Sequence, residues 1–171
     1  MNLNITTPLS SEIILGLNVG DSLNLSGFIY TGRDAVLPKI VELLKSADFH
    51  KYNINLQGAV IFHTAVSIAG VGPTSSNKFE IENSIPSLSA AGVKLHLGKG
   101  ALSKSTVEAL QQYNSVYAVI PPVSALLVSK TLSKKVVAFP ELGMEAFHIL
   151  EIKDYPIIIA AANGKSIYDA K

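Results

Sequence analysis

Cysteine is absent from all 171 positions, and charged side chains make up only 16 % of them. Without thiols the chain can form no disulfide, run no thiolate chemistry and ligate no iron–sulfur cluster with its own side chains. A soluble domain ordinarily carries about a quarter charged residues. The shortage of charge, with 48 % hydrophobic residues and a mean hydropathy of +0.34, leaves apolar surface to be covered. No apolar run approaches the ~18 residues that a membrane helix needs. Ala118 to Val123 and Ile157 to Ala162 are the longest candidates, and both are short. Another subunit, or a second copy of the chain in isolation, is therefore the expected cover. A basic stripe is missing too: net charge is +1 with dispersed lysines, which argues against nucleic acid as a partner. Met1-Asn2-Leu3-Asn4 lacks the basic and apolar regions of a secretory leader, so a cytoplasmic location is expected.

What is present reads as one α/β domain over residues 1–171, with strands and helices alternating. Leu3 to Pro8 is extended, and Glu12 to Leu17, after Ser10 and Ser11, is a brief helix. Ser22 to Tyr30 alternates polar with apolar residues, as a strand does. Thr31-Gly32-Arg33-Asp34 ends it, and Val36, Ile40, Leu43, Leu44 and Ala47 then fall at helical spacing. Pro38 is confined to the first turn of that helix. Ala59 to His63 is a buried strand, and Phe79 to Ala91 is a helix that Pro86 is expected to break. Gly92 to Leu97 alternates again, and Ser103 to Gln112 is a helix with Ser103 as N-cap. Val116 to Ile120 is a strand and Val123 to Leu132 a helix. Val136 to Phe139, Ala146 to Ile152, Ile157 to Ala162 and Ser166 to Tyr168 complete the strands.

Chemistry is expected at the loops. Gly70-Val71-Gly72-Pro73-Thr74-Ser75-Ser76-Asn77-Lys78 links the 59–63 strand to the next helix. Its glycines, hydroxyls and lysine can cradle an anion at a helix start, or simply cap that helix. Arg33, Lys78 and Lys99 all follow strands, where ligands of α/β sheets collect. Three cations there suit a small diacid: arginine grips a carboxylate with two donors, and the lysines act as point charges. Asp34 and Ser75 stand beside them as candidate supporting residues. Gly98-Lys99-Gly100 is no P-loop, because the glycine spacing is wrong and no Ser or Thr follows the lysine. His63 and His96 lie inside apolar alternations and are expected to pack in the core or at a cleft edge. His50 and His148 have no metal-ligand spacing, so no metal site is expected on this chain. Glu141 and Glu145 read as loop or surface acids.

Taken together, an ordered set of motifs resembles a known family. They are Thr7-Pro8-Leu9, Val19-Gly20-Asp21, Ser26-Gly27 through Thr31-Gly32-Arg33-Asp34-Ala35, Gly72-Pro73-Thr74 and Gly98-Lys99-Gly100. Glu141-Leu142-Gly143-Met144-Glu145-Ala146, Asp154-Tyr155-Pro156 and Gly164-Lys165-Ser166-Ile167-Tyr168 follow in the same order. The chain is similar throughout to the C-terminal domain of class I, iron–sulfur-dependent fumarases and to the β subunit of L-tartrate dehydratase. The resemblance implies a three-layer, swivelling β/β/α domain with a mixed sheet. It implies a hydro-lyase that hydrates or dehydrates a C4 dicarboxylate, fumarate and malate first and tartrate next. It also implies a [4Fe–4S] cluster bound by the cysteines of a separate α subunit, whose open iron acts as a Lewis acid on the departing hydroxyl.

Residue by residue, the resemblance makes Arg33 a carboxylate ligand and Lys99 another substrate contact. It places Thr74 near the proton exchanged at carbon, where a hydroxyl needs a proton relay to act as a base. Three positions depart from the family pattern. Leu37 stands where a histidine is usual, Lys78 where an arginine is usual, and Pro121-Pro122 where a glycine pair is common. Lys78 keeps the charge and loses the bidentate fork. The competing expectation is a small-anion-binding or regulatory domain that kept this fold without catalysis.

Overall fold

The structure, a computed structural model, describes residues 3–67, 70–74, 78–120 and 124–169; for 70–74, 78–81 and 124 it describes the backbone path. In chain order the elements begin with β1 (Leu3–Thr6), α1 (Ser11–Leu15), β2 (Ser22–Thr31), α2 (Leu37–Leu44) and β3 (Val60–Phe62). A hairpin follows, β4 (Thr64–Ser67) and β5 (Gly70–Thr74), and then α3 (Lys78–Ala90), β6 (Leu95–Gly98) and α4 (Lys104–Gln112). β7 (Val116–Val119), α5 (Ser124–Ser129), β8 (Thr131–Ala138), β9 (Phe147–Ala162) and β10 (Lys165–Ser166) complete the order. Short 3-10 turns occupy Phe49–Lys51 and Pro140–Glu145.

Alternation in β2 buries Leu23, Leu25 and Ile29, and the sheet is built outward from that strand. β2, β3, β6 and β7 run parallel as neighbours. β9 pairs antiparallel with β7 and also with β2, so the five strands form a closed ring. Their inward residues, among them Val60, Phe62, Leu95, Leu97, Val116, Ala118, Leu150, Tyr155 and Ile157, make one apolar interior. Phe62 meets Tyr155 edge to face, ring centroids 6.4 Å apart, an arrangement aromatic rings favour. Outward residues carry the helices. Tyr30 and Ile61 pack with Leu37, Ile40 and Leu88 of α2 and α3. Tyr117 and Ala160 pack with Ile85, Val107 and Leu110 of α3 and α4. The result is mixed α/β, with a helical layer laid on the outside of the ring.

β9 is long because its two halves, expected as separate strands, are continuous across Asp154-Tyr155-Pro156. Asp154 turns the chain with φ 55, and its N–H donates to Ser26 Oγ at 2.9 Å. The opposite bend in β2 falls at Gly27, with φ 107, where a Cβ would lie 2.3 Å from Thr7 Oγ1. Only glycine fits both the angle and the approach. Four other expectations change. Gly70 to Thr74 is a strand rather than part of a turn, because it pairs back on β4. Pro86 does not break α3: Ile85 and Leu88 beside it are buried, and their packing outweighs one lost backbone bond. α5 is shorter than the 123–132 helix expected, and residues 131 onward join β8 instead. The closing strand is the two residues of β10. Ser10 and Ser103 cap α1 and α4, and α2 admits Pro38 in its first turn.

Phe62→Ala would open a cavity inside the ring and cost about 3–5 kcal/mol. Urea unfolding of the isolated chain checks this, and a loss under 1 kcal/mol would mean that Phe62 is not part of a packed interior.

Candidate functional site

Thr31, Phe62, Leu97 and Ala118 form one row across the four parallel strands, at the last residue of β2 and β3 and one residue short of the end of β6 and β7. Arg33 and Lys99 each stand two residues past that row, two strand spacings apart, which is about 10 Å. Between them the chain leaves β3 through His63 and Thr64, and Thr64 pairs with Thr74 across the hairpin. α3 ends beside the start of β6, with Ser89 bonded to His96, and its 13 residues span about 20 Å. Lys78 therefore begins the helix toward the same rim. The backbone thus gathers Arg33, Thr74, Lys78 and Lys99 at one end of the sheet, while Ser75 lies outside the described residues.

Arg33 has a partner that its sequence context did not announce. Its Nε donates to Glu145 Oε1 at 2.9 Å and to Oε2 at 3.1 Å, and its Nη2 donates to Oε1 as well. Glu145 is thus not a loop acid in solvent; both side chains are about three-quarters buried. The Glu145 hydrogen bond raises the Arg33 pKa, with Asp34 adding a smaller push in the same direction. Asp34 itself lines a cleft of about 500 Å³ between α2 and α3, with Lys39, Glu42, Asn83 and Ser84. Lys99 is exposed at the tip of its turn. Tyr117 Oη donates to the Gly100 carbonyl at 3.2 Å, pinning that turn. A Cβ at Gly98 would come within 3.0 Å of the same hydroxyl.

His63 and His96 are wholly buried, as their apolar surroundings suggested. His63 Nε2 and His96 Nδ1 are 3.1 Å apart, and His96 Nε2 lies 3.0 Å from Ser89 Oγ. Burial pushes the His63 pKa down to about 3. Burial, and then the neighbouring His63, push His96 well below its ordinary value. Both rings are neutral at physiological pH. His148, at the start of β9, bonds the Ala146 carbonyl through Nδ1 at 2.9 Å. Among the described residues, no three His, Cys, Asp or Glu side chains converge to hold a metal ion. With no cysteine anywhere in the chain, its donors do not fit an iron–sulfur cluster. Also among the described residues, no helix is long and apolar enough to cross a membrane.

Comparison with known proteins gives this α/β architecture a class. The family model of the fumarase C-terminus matches residues 1–171. The chain is 28 % identical over 169 residues to L(+)-tartrate dehydratase subunit beta of Escherichia coli K12, covering 91 % of this chain and 81 % of that protein. It is 31 % identical over 176 residues to a Methanocaldococcus jannaschii protein provisionally named as the same subunit, covering 94 % and 88 %. A Geobacillus stearothermophilus protein provisionally named fumarate hydratase class I is 26 % identical over 179 residues; this chain corresponds to 33 % of its length. These relatives are hydro-lyases by name. The chain belongs to the fumarase C-terminus family.

The histidine pair makes a stability prediction. In the unfolded chain each ring titrates near pH 6.5, whereas in the native chain neither is protonated until far lower. The unfolded state therefore binds more protons as pH falls. Stability is full above pH ~6.5 and drops below it, by up to about 1.4 kcal/mol per pH unit for each ring. Urea midpoints measured between about pH 7 and about pH 5 should fall steeply, and a His63→Phe, His96→Phe double variant should flatten the slope.

Proposed function

We propose that this chain, as a single domain over residues 1–171, is the β subunit of an iron–sulfur-dependent hydro-lyase. Its reaction is the reversible hydration or dehydration of a C4 dicarboxylate of the malate or tartrate kind. The observation that carries this reading is the gathering of Arg33, Thr74, Lys78 and Lys99 at the carboxyl rim of the parallel strands. The chain itself has no thiolate. In this reading a cysteine-bearing α subunit carries the [4Fe–4S] cluster, which supplies Lewis-acid chemistry at the departing hydroxyl. Relatives named as a dehydratase subunit beta support such a partner, and the surplus of apolar surface fits a hetero-oligomer in the cytoplasm.

Each residue then has a role within this chain's reach. Arg33, held by Glu145, and Lys99, on its pinned turn, bind the carboxylates, and Lys78 adds a third charge. Fixed cations next to a carboxylate lower the barrier for losing the neighbouring carbon-bound proton, because they hold the growing negative charge without reorganising. Thr74 faces the proton transfer, through a relay completed by the partner. Asp34 supports Arg33 through its charge. A second reading, a non-catalytic anion-binding domain, is favoured by one feature: Arg33 already has a carboxylate partner within the chain.

Anaerobic co-purification with a cysteine-bearing α subunit, followed by assays on fumarate, malate and tartrate, is the test. Turnover of one of them is expected from the complex and not from the isolated chain. A cluster-loaded complex that dehydrates no hydroxy-diacid would sink the enzyme reading, and tight diacid binding by the isolated chain would favour the second. Within an active complex, Arg33→Ala should lower kcat/KM roughly 10- to 100-fold, through loss of a charge-assisted bond of about 1.5–3 kcal/mol. An unchanged kcat/KM removes Arg33 from the site.

A further inference from the structure

β8 lies outside the ring, against the first half of β9. Among the described residues no strand pairs with its other edge. Leu132 to Val136 are five exposed residues in succession, with Leu132 at 60 % and Val136 at 38 %. An open edge of that length is a row of backbone donors and acceptors that another chain can complete. Beside it, the tip of the β4–β5 hairpin and the turn before β9 border a cavity of about 460 Å³. Val66, Val136 and Met144 are among its walls, and no acid stands among the described lining residues. Lys134 Nζ reaches to the Ser67 carbonyl at 2.6 Å, which links the hairpin tip to β8. A free edge next to a side-chain socket is how an added strand is recognised: the ladder gives affinity and the socket gives selectivity.

Charge and position say what completes the edge. Lys134 and Lys135 stand within the exposed stretch, and Lys135 makes no ion pair among the described residues. A second copy of the chain, pairing antiparallel there, would bring lysines against lysines, and like charges across a ladder destabilise it. A strand that carries acids meets no such cost. The ladder also fixes where that strand would run. Val136 pairs with His148 and His148 with Thr31, so β8 climbs to the rim where Arg33 stands. A partner that covers the rim therefore passes this edge. We propose that β8 is a strand-addition site for the α subunit: an extended segment of that subunit pairs with the free edge, sets acidic side chains against Lys134 and Lys135, and places apolar side chains in the cavity. This rests on the subunit reading above. In a chain so poor in charge, it also gives the exposed Leu132, Val136 and Met144 a cover.

Amide hydrogen exchange of the full chain, alone and in complex with the cysteine-bearing α subunit, is the test. Amides on the free edge of β8 should exchange at least about 10-fold more slowly in the complex. Lys135→Glu should weaken assembly about 10-fold or more and leave the urea midpoint of the isolated chain unchanged, whereas Lys135→Arg should assemble as the wild type does. Edge amides that exchange equally fast with and without the α subunit overturn the proposal, and so does a Lys135→Glu chain that assembles normally. A concentration-dependent dimer of the isolated chain with β8 protected would make a second copy the occupant, which also overturns it. A complex that forms without protection at β8 sinks the strand-addition site alone. If no complex forms, the subunit reading falls, and the site with it.

Discussion

Strand β9 hydrogen-bonds to β2 along one edge, while β8 and then β7 share its other edge. This double pairing is what turns a row of four parallel strands into a ring. An open sheet of β2 with three strands of only three or four residues would leave backbone donors and acceptors unmet on both sides. Here β9, at 16 residues, is long enough to reach around and serve two neighbours. The bend that lets it do so is local, with Asp154 in the left-handed region and bonded to Ser26, opposite the bulge at Gly27. Ser26, Gly27 and Asp154 therefore act as one joint, although 128 residues separate the serine from the aspartate.

The same ladder sets the electrostatics of the rim. Its last paired residues are Thr31 and His148, and a step beyond them on the two strands come Arg33 and Glu145. The arginine and its acid are thus neighbours because the ring closes there. A guanidinium three-quarters buried in a chain this poor in charge would be costly without such a partner. The side-on grip through Nε and Nη2 also fixes the plane of the guanidinium, which matters for a group proposed to meet a planar carboxylate.

Much of this was legible in the residues, and what was not has a physical cause. Period-two alternation identified β2, β6 and the outer half of β9, because each has one face in the ring and one against helices or solvent. Ser103 marked the start of α4 at the right residue, whereas α1, expected over Glu12 to Leu17 after two serines, begins at Ser11 and stops at Leu15. The β4–β5 hairpin was missed because glycine, proline and threonine at 70–74 carry turn chemistry, and only pairing with Thr64–Ser67 makes them a strand. Pro86 was misread because local rules penalise proline without knowing what its neighbours bury. Glu145 was missed for a deeper reason: its meaning lies in a partner 112 residues away, and the only local signal was its place in the Glu141–Ala146 block. The four rim positions of the proposed site could be listed from sequence, but that β3 and its hairpin lie between Arg33 and Lys99 required the strand order.

That order separates two kinds of surroundings. Arg33 and Lys99 lie past the strand ends, where Lys99 is exposed and charge is tolerated. His63 lies at the strand end itself, in full burial, where a charge is not tolerated. Burial keeps the His63–His96 pair neutral directly behind a rim proposed to hold cations, so the ends of the parallel strands divide a charged outer edge from an apolar interior.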